Sequence, residues 1–207
     1  MSAATIIADI AKRARIAART LAASSGVERN QLLLNIADEL EKNLDLILKA
    51  NQLDMDAAKS AGISSSLQDR LLLTEKRVKE MAAATRDIAK LTDPLGKILV
   101  ERNLDNGLNL KQKSVPFGVV GMVYEARPNV TIDIACMALK TGSAIILRGG
   151  SAAQNTNAVL VQILKAQHLS YSNKANSVLC ESRHRHPKPE SLQDLPRGRI
   201  LIPLFHR

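Results

Sequence analysis

Two short polar stretches carry the residue types that can do chemistry. Glu125-Ala126-Arg127-Pro128-Asn129 places a planar guanidinium two residues from a carboxamide. The guanidinium fork grips a phosphate or carboxylate, and the amide can donate to a developing oxyanion. The plainer reading is a turn with a solvated arginine and an asparagine near a helix start. Arg148-Gly149-Gly150-Ser151 follows an apolar run and leads into a helical pattern. The glycines permit close backbone approach, and Ser151 stands where an N-cap belongs. The free N–H groups of the first helical turn favour an anion, and Arg148 adds charge. This loop reads as a dinucleotide or phosphate cradle, although a Gly-Gly joint into a helix is also common in purely structural roles.

The elements that position these loops are legible from periodicity. Residues 119–124 are apolar and rich in β-branched side chains, as in a buried parallel strand. Residues 131–141 carry Ile132, Ala135, Cys136 and Leu139 at helical spacing. Thr131 is the expected cap, Asp133 suits the first turn, and Gly142 is the expected stop. Residues 144–147 form a second buried strand. A further helix runs from near Ser151 to about 165, with Ala152, Val159, Leu160, Ile163 and Leu164 inward. This is a βαβ unit, and both polar loops lie beyond the carboxyl ends of its strands, where ligands bind.

Upstream, helical patterns cover 3–23, 27–50 and 75–91, the last capped by Thr74. A short segment, 51–62, and a brief helix or turn, 64–73, lie between them. The basic first helix lacks aromatic anchors, which favours packing on its own protein over lying on a membrane. These helices read as scaffold, without convergent titratable groups. At 92–96 the period becomes strand-like. Strands at 97–102 and 108–113 flank Asn106-Gly107, the signal for a hairpin with a type I′ turn. Its charges suggest an arm that projects and pairs with another subunit, or a solvated hairpin.

Composition narrows the function classes. Aromatic residues are 2% with no Trp, so stacking on nucleic-acid bases is excluded as a binding mode. No run approaches a membrane span, and the amino-terminal stretch with Asp9 is not a secretory signal, so a cytoplasmic protein without a membrane partner is expected. The net charge is +9, and residues 168–207 alone hold 7 Lys and Arg against 3 Asp and Glu. That stretch also holds His168, His184, His186 and His206, and no helical or alternating period survives in it. His184 and His186 lack a third ligand, so no metal is expected. Cys136 on an apolar helix face reads as a buried small hydrophobe. We expect residues 168–207 to be foreign to the preceding domain, as after a frameshift, and the domain to continue past 167 in relatives.

The stretch 115–151, with its YEARPNVT and ILRGGS motifs, resembles γ-glutamyl phosphate reductases, the glutamate-5-semialdehyde dehydrogenases of proline biosynthesis. Asn51, Asp54, Ala57-Ala58, Gly62-Ile63, Asp69-Arg70-Leu71, Leu73-Thr74, Arg77 and Asp93-Pro94-Leu95-Gly96 agree as well, and the resemblance covers residues 1–167. It implies an α/β, aldehyde dehydrogenase-like fold: N-terminal helices, an incomplete Rossmann-like parallel sheet and a protruding β-hairpin. The expected division is 1–96 helical, 97–115 oligomerisation hairpin, 116–167 cofactor core and 168–207 unmatched tail, with the catalytic domain absent. The resemblance further implies reduction of L-glutamate 5-phosphate with NADPH in a homo-oligomer joined through 97–113. It assigns Tyr124, Glu125, Arg148, Gly149, Gly150 and Ser151 to the cofactor, and Arg127 and Asn129 to substrate phosphate or oxyanion. The family's nucleophilic cysteine lies downstream, and neither Cys136 nor Cys180 takes its place. The expectation is therefore a truncated, inactive form, a fragment that docks on the full-length enzyme, or a module that only binds NADP(H).

Overall fold

The computed structural model describes residues 3–171, with side chains from 5 to 166. Cys180, His184, His186, His206 and the tail from 172 lie outside them, as does the side chain of His168. Helix α1, Ala3–Ala23, buries Ile10, Ala14, Ala17, Ala18 and Leu21, the stripe its spacing predicts. Helix α2, Gly26–Lys42, opens on a capping box. The Ser25 hydroxyl accepts from the Glu28 N–H at 3.2 Å, and the Glu28 carboxylate accepts from the Ser25 N–H at 2.6 Å. That backbone donor holds the Glu28 carboxyl below its ordinary range.

The single helix expected over 27–50 is two. Asn43 leaves helical geometry at φ −96 and ψ 20, and its amide donates to the Glu39 carbonyl at 2.8 Å. An asparagine side chain competes for backbone partners, so one residue closes α2 and starts α3, Leu44–Ser60. The segment 51–62, read as separate, is mostly the second half of α3. Helix α4 spans Ser65–Leu71 and α5 spans Glu75–Lys90. Thr74 caps α5 as expected, accepting from the Arg77 N–H at 3.2 Å. Leu33, Ile36, Leu40, Val78 and Met81 fill the seam where α2 packs on α5.

Strands β1, Ile98–Asn103, and β2, Asn109–Lys113, form an antiparallel hairpin exposed along its whole length. Its tip differs from the expected type I′ turn. The Gly107 N–H donates to the Leu104 carbonyl and the Leu104 N–H to that of Leu108, both at 2.9 Å. Gly107 at φ 83 then acts as a bulge after the turn, a three-residue solution that also suits strand twist.

Strand β3, Val119–Val123, pairs in parallel with β4, Ala144–Arg148, in register from Val119 with Ala144 to Val123 with Arg148. Helix α6, Pro128–Lys140, makes the crossover and ends before Gly142 at φ 64, the left-handed stop its sequence predicts. Thr131 is not its cap. The helix begins at Pro128, whose missing N–H costs nothing in a first turn, and Arg127 is the capping residue. Asp133 therefore lies in the second turn. The expectation that β3 is buried also fails: Val119 and Val123 are exposed, because the helices pack mainly on β4 and, among the described residues, no further strand lies beside β3. Helices α1 and α6 pack on β4, whose Ala144, Ile145 and Leu147 are buried.

Ser151 does not cap the last helix. A 3-10 turn, Ser151–Ala153, intervenes with Gly150 as its cap, and α7 then runs Gln154–Tyr171, past its expected end near 165. A polar clamp joins α2 to α6 and to the linker after α5. Buried Arg29 donates to both oxygens of Asp93 at 2.7 and 2.9 Å, to the Lys140 carbonyl at 3.2 Å, and to the Ser24 carbonyl. The Lys140 ammonium donates to the Ala89 carbonyl at 2.9 Å and to the Asn30 amide oxygen at 2.6 Å. Among the described residues no helix is long and apolar enough to cross a membrane.

Candidate functional site

The two polar loops meet at the carboxyl end of the parallel pair. The Tyr124 N–H donates to the Arg148 carbonyl at 3.1 Å. A side chain on Gly150 would place its Cβ 3.2 Å from the Ala126 nitrogen; one on Gly149 would lie 2.5 Å from Asn157 Nδ2 and 3.1 Å from the Tyr124 hydroxyl. The glycines are therefore needed to pack the loops on each other. Beneath them, the Tyr124 and Thr131 hydroxyls lie 2.6 Å apart, and Thr131 donates to Asn157 Oδ1 at 2.8 Å. Asn157 is fully buried, and its Nδ2 has no hydrogen-bond partner among the described residues. Glu125, Arg148 and Ser151 stay exposed at the rim. The Arg148 guanidinium makes no hydrogen bond or ion pair among the described residues, which suits a phosphate.

The helix N-terminus expected to take an anion already has one. Asp54 Oδ2 accepts from the Thr156 N–H at 2.8 Å and from its hydroxyl at 2.6 Å. Asp54 Oδ1 accepts from the Asn155 N–H at 3.0 Å and from its side-chain amide at 2.9 Å. The carboxylate is buried and occupies the positive end of α7. Asn51 completes the joint, donating to Thr156 Oγ1 at 3.2 Å and to the Leu71 carbonyl at 2.9 Å, and accepting from the Leu73 N–H at 2.7 Å.

Arg127 and Asn129 face a different space, an open cleft of about 390 Å³ between α5 and the start of α6. Asp69, Arg70, Arg77, Glu80 and Asp133 share its lining, so the helical scaffold does contribute convergent charges, contrary to the sequence reading. Arg77 is committed to structure, donating to the Leu72 carbonyl at 2.7 Å and to Asp69 Oδ1 at 2.9 Å. Arg70 comes only within 4.0 Å of the exposed Glu125 carboxylate. Arg127 has no side-chain partner among the described residues. Asp133 is half-buried and accepts from Asn129 Nδ2 at 3.2 Å; burial pushes its carboxyl up. The agreement of Asp69-Arg70-Leu71 and Arg77 with the resembled family is the signal in the sequence that could have pointed here.

Cys136 offers no nucleophile. It is fully buried, with Sγ 3.6 Å from the Thr85 hydroxyl, and burial pushes its thiol up to about 12. A thiol of that kind is protonated and inert at neutral pH. Among the described residues no His, Cys, Asp and Glu cluster could hold a metal ion.

No protein-family model matches the chain. It is similar to the γ-glutamyl phosphate reductase of Pectobacterium carotovorum, 47% identical over 160 residues, which are 77% of this chain and 38% of that protein. The γ-glutamyl phosphate reductase of Clavibacter michiganensis is 51% identical over 156 residues, 75% of this chain and 36% of that protein. Solved γ-glutamyl phosphate reductases share the architecture. The Thermotoga maritima structure has a TM-score of 0.78 at 36% identity over 82% of this chain and 41% of its own. The Saccharomyces cerevisiae structure has a TM-score of 0.80 at 34% identity over 87% and 46%. A probable aldehyde dehydrogenase from Listeria monocytogenes shares the fold alone, with a TM-score of 0.63 at 16% identity over 85% of this chain and 36% of its own. The fold is thus aldehyde dehydrogenase-like. The chain spans about two fifths of the length of the curated relatives it matches, corresponding to their N-terminal part.

Proposed function

We propose, with kinship to the N-terminal part of the γ-glutamyl phosphate reductases as the premise, that this chain carries the cofactor loop and one wall of the substrate cleft of such a reductase. The reaction is the NADPH-dependent reduction of L-glutamate 5-phosphate to the 5-semialdehyde and phosphate, in the cytoplasm. The observation that carries the reading is the adjacency of the 124–127 and 148–151 loops beyond β3 and β4, with Arg127 and Asn129 turned into the cleft beside them.

NADPH, when bound, supplies the hydride. Arg148 and Ser151 have the chemistry to hold its adenosine phosphate and ribose, with Tyr124 and Glu125 at the strand end and Gly149 and Gly150 keeping the loops closed. Arg127 holds the substrate phosphate by its fork, and Asn129 donates to the carbonyl oxygen as it gains charge. Such chemistry also needs a thiolate that attacks the acyl phosphate; Cys136 cannot serve, and Cys180 belongs to the stretch 168–207 that the resemblance does not cover. The 207-residue chain is therefore expected to bind ligands without turnover, with hairpin 97–113 as its contact to further subunits.

Calorimetric titration of the chain with NADPH tests this reading. We expect binding that weakens about tenfold or more in Arg148→Ala, the loss of one charged partner. Equal affinity of wild type and variant, or no binding, removes the cofactor assignment. NADPH oxidation with glutamate 5-phosphate by the purified chain would overturn its inactivity. Co-purification with a full-length reductase, lost on deleting 97–113, would favour the docking reading.

A further inference from the structure

We propose that the cleft between α5 and the start of α6 binds the amino-acid end of the substrate, with Asp133 holding its α-ammonium group and Arg70 its α-carboxylate. This rests on the substrate reading above and extends it to residues that reading leaves without a role.

The argument starts from charges without partners. Asp133 is half-buried, accepts one hydrogen bond, from Asn129, and forms no ion pair among the described residues. A carboxylate taken partly out of water with no cation beside it costs free energy that a cationic ligand group would recover. Arg127, on the same cleft, is a guanidinium without an anion, and Arg70 is held no closer than 4.0 Å to Glu125, which is itself exposed. The other charges in the wall are engaged or solvated: Asp69 with Arg77 at 2.9 Å, and Glu80, exposed, within 3.9 Å of Lys76.

An unpaired carboxylate and two available guanidinium groups in one cleft select for a ligand with the reverse set. That ligand carries one ammonium and two anionic groups. A purely anionic acyl phosphate would meet Asp133 with repulsion, whereas the acyl phosphate of an α-amino acid satisfies all three groups. A cleft of about 390 Å³ is within the range that encloses a ligand of this size. Asp133 is also fixed in place, one turn along α6 from Asn129. The residue that would stabilise the oxyanion and the residue that would hold the ammonium group are therefore one hydrogen bond apart.

The test compares two stable probes by calorimetry on the full chain. One is the L-α-amino phosphonate in which a methylene replaces the bridging oxygen of glutamyl phosphate; the other is the same compound without its amine. Wild type is expected to prefer the amine-bearing probe about tenfold or more, the loss expected for one charge-assisted hydrogen bond. In Asp133→Asn the preference should fall to about twofold or less, while the deaminated probe keeps its wild-type affinity. Asp133→Glu should retain part of the preference. Circular dichroism on each variant separates loss of fold from loss of recognition. A preference that survives in a folded Asp133→Asn, or the absence of one in wild type, overturns the Asp133 assignment and leaves the substrate reading standing. Failure of the amine-bearing probe to bind wild type overturns both.

Discussion

Arg29 and Asp93 are joined by two hydrogen bonds, 2.7 and 2.9 Å, across 64 residues of sequence. The guanidinium is buried, whereas the carboxylate keeps contact with water. The arginine also bonds the Lys140 and Ser24 carbonyls, so its removal orphans buried acceptors as well as a charge. We expect Arg29→Ala to cost about 2 kcal/mol, as for leaving buried acceptors unsatisfied. Urea denaturation measures it, and a loss under about 0.5 kcal/mol, the range of neutral surface changes, would contradict the clamp.

Asp54→Ala removes four hydrogen bonds at the start of α7 and leaves the buried Thr156 N–H and hydroxyl without acceptors. The expected loss is about 2–4 kcal/mol, larger than an ordinary surface cap because the site is dry. Asp54→Asn should recover part of it, since the amide oxygen still accepts. A variant as stable as wild type in the same denaturation would show that α7 does not depend on this carboxylate.

Gly149→Ala forces a methyl group towards Asn157 Nδ2, only 2.5 Å away from the ideal Cβ. Either the buried Asn157 side chain or the loop must shift, at a cost of about 1–3 kcal/mol for an overpacked site. NADPH affinity should fall with it, because Arg148 and Ser151 ride on the same loop. Unchanged binding and stability would mean that the two loops are not packed as described.

Cys136 sets a pH dependence. Its folded-state pKa, about 12, is raised above the ordinary 9.0, so the neutral thiol favours the fold. That contribution is intact below pH 9 and is lost as pH rises from 9 towards 12, because only the unfolded chain releases the proton there. Stability should fall across this window with a slope of up to about 1.4 kcal/mol per pH unit from this one group. Cys136→Ala should remove that share, read as the difference between the two denaturation series. Iodoacetamide should also spare native Cys136 at pH 8 and label it once the chain is unfolded.

Local signals carried most of what the sequence revealed. Thr74 before α5, Gly142 after α6 and Gly107 at the hairpin tip all act within four residues of themselves, and each was readable as a stop or start. Asn43 was equally local but ambiguous, because an asparagine inside a continuous apolar stripe does not announce that it divides it. Asp54 stood out only by its agreement with the resembled family, which assigned it no role. Its partners are 101 and 102 residues away, beyond any periodicity. The cleft was hidden for the same reason: Arg70 of α4, Glu80 of α5 and Asp133 of α6 line one space only once these helices are packed. The burial of β3 was misread because an apolar strand reports what it can pack against, whereas its exposure depends on which strands lie beside it.

The Asp54 joint also dictates an order of assembly. When residues 1–150 have been synthesised, α3 exists with a carboxylate designed for burial and an asparagine whose acceptor Thr156 has not been made. The four donors that hold Asp54 all come from Asn155 and Thr156, and burying the carboxylate without them would strand a bare charge. Completion waits for Asn155 and Thr156, so the last helix arrives as the bolt of the structure. The contact closes a loop of about a hundred residues, and its closure entropy is set against four hydrogen bonds made at one carboxylate.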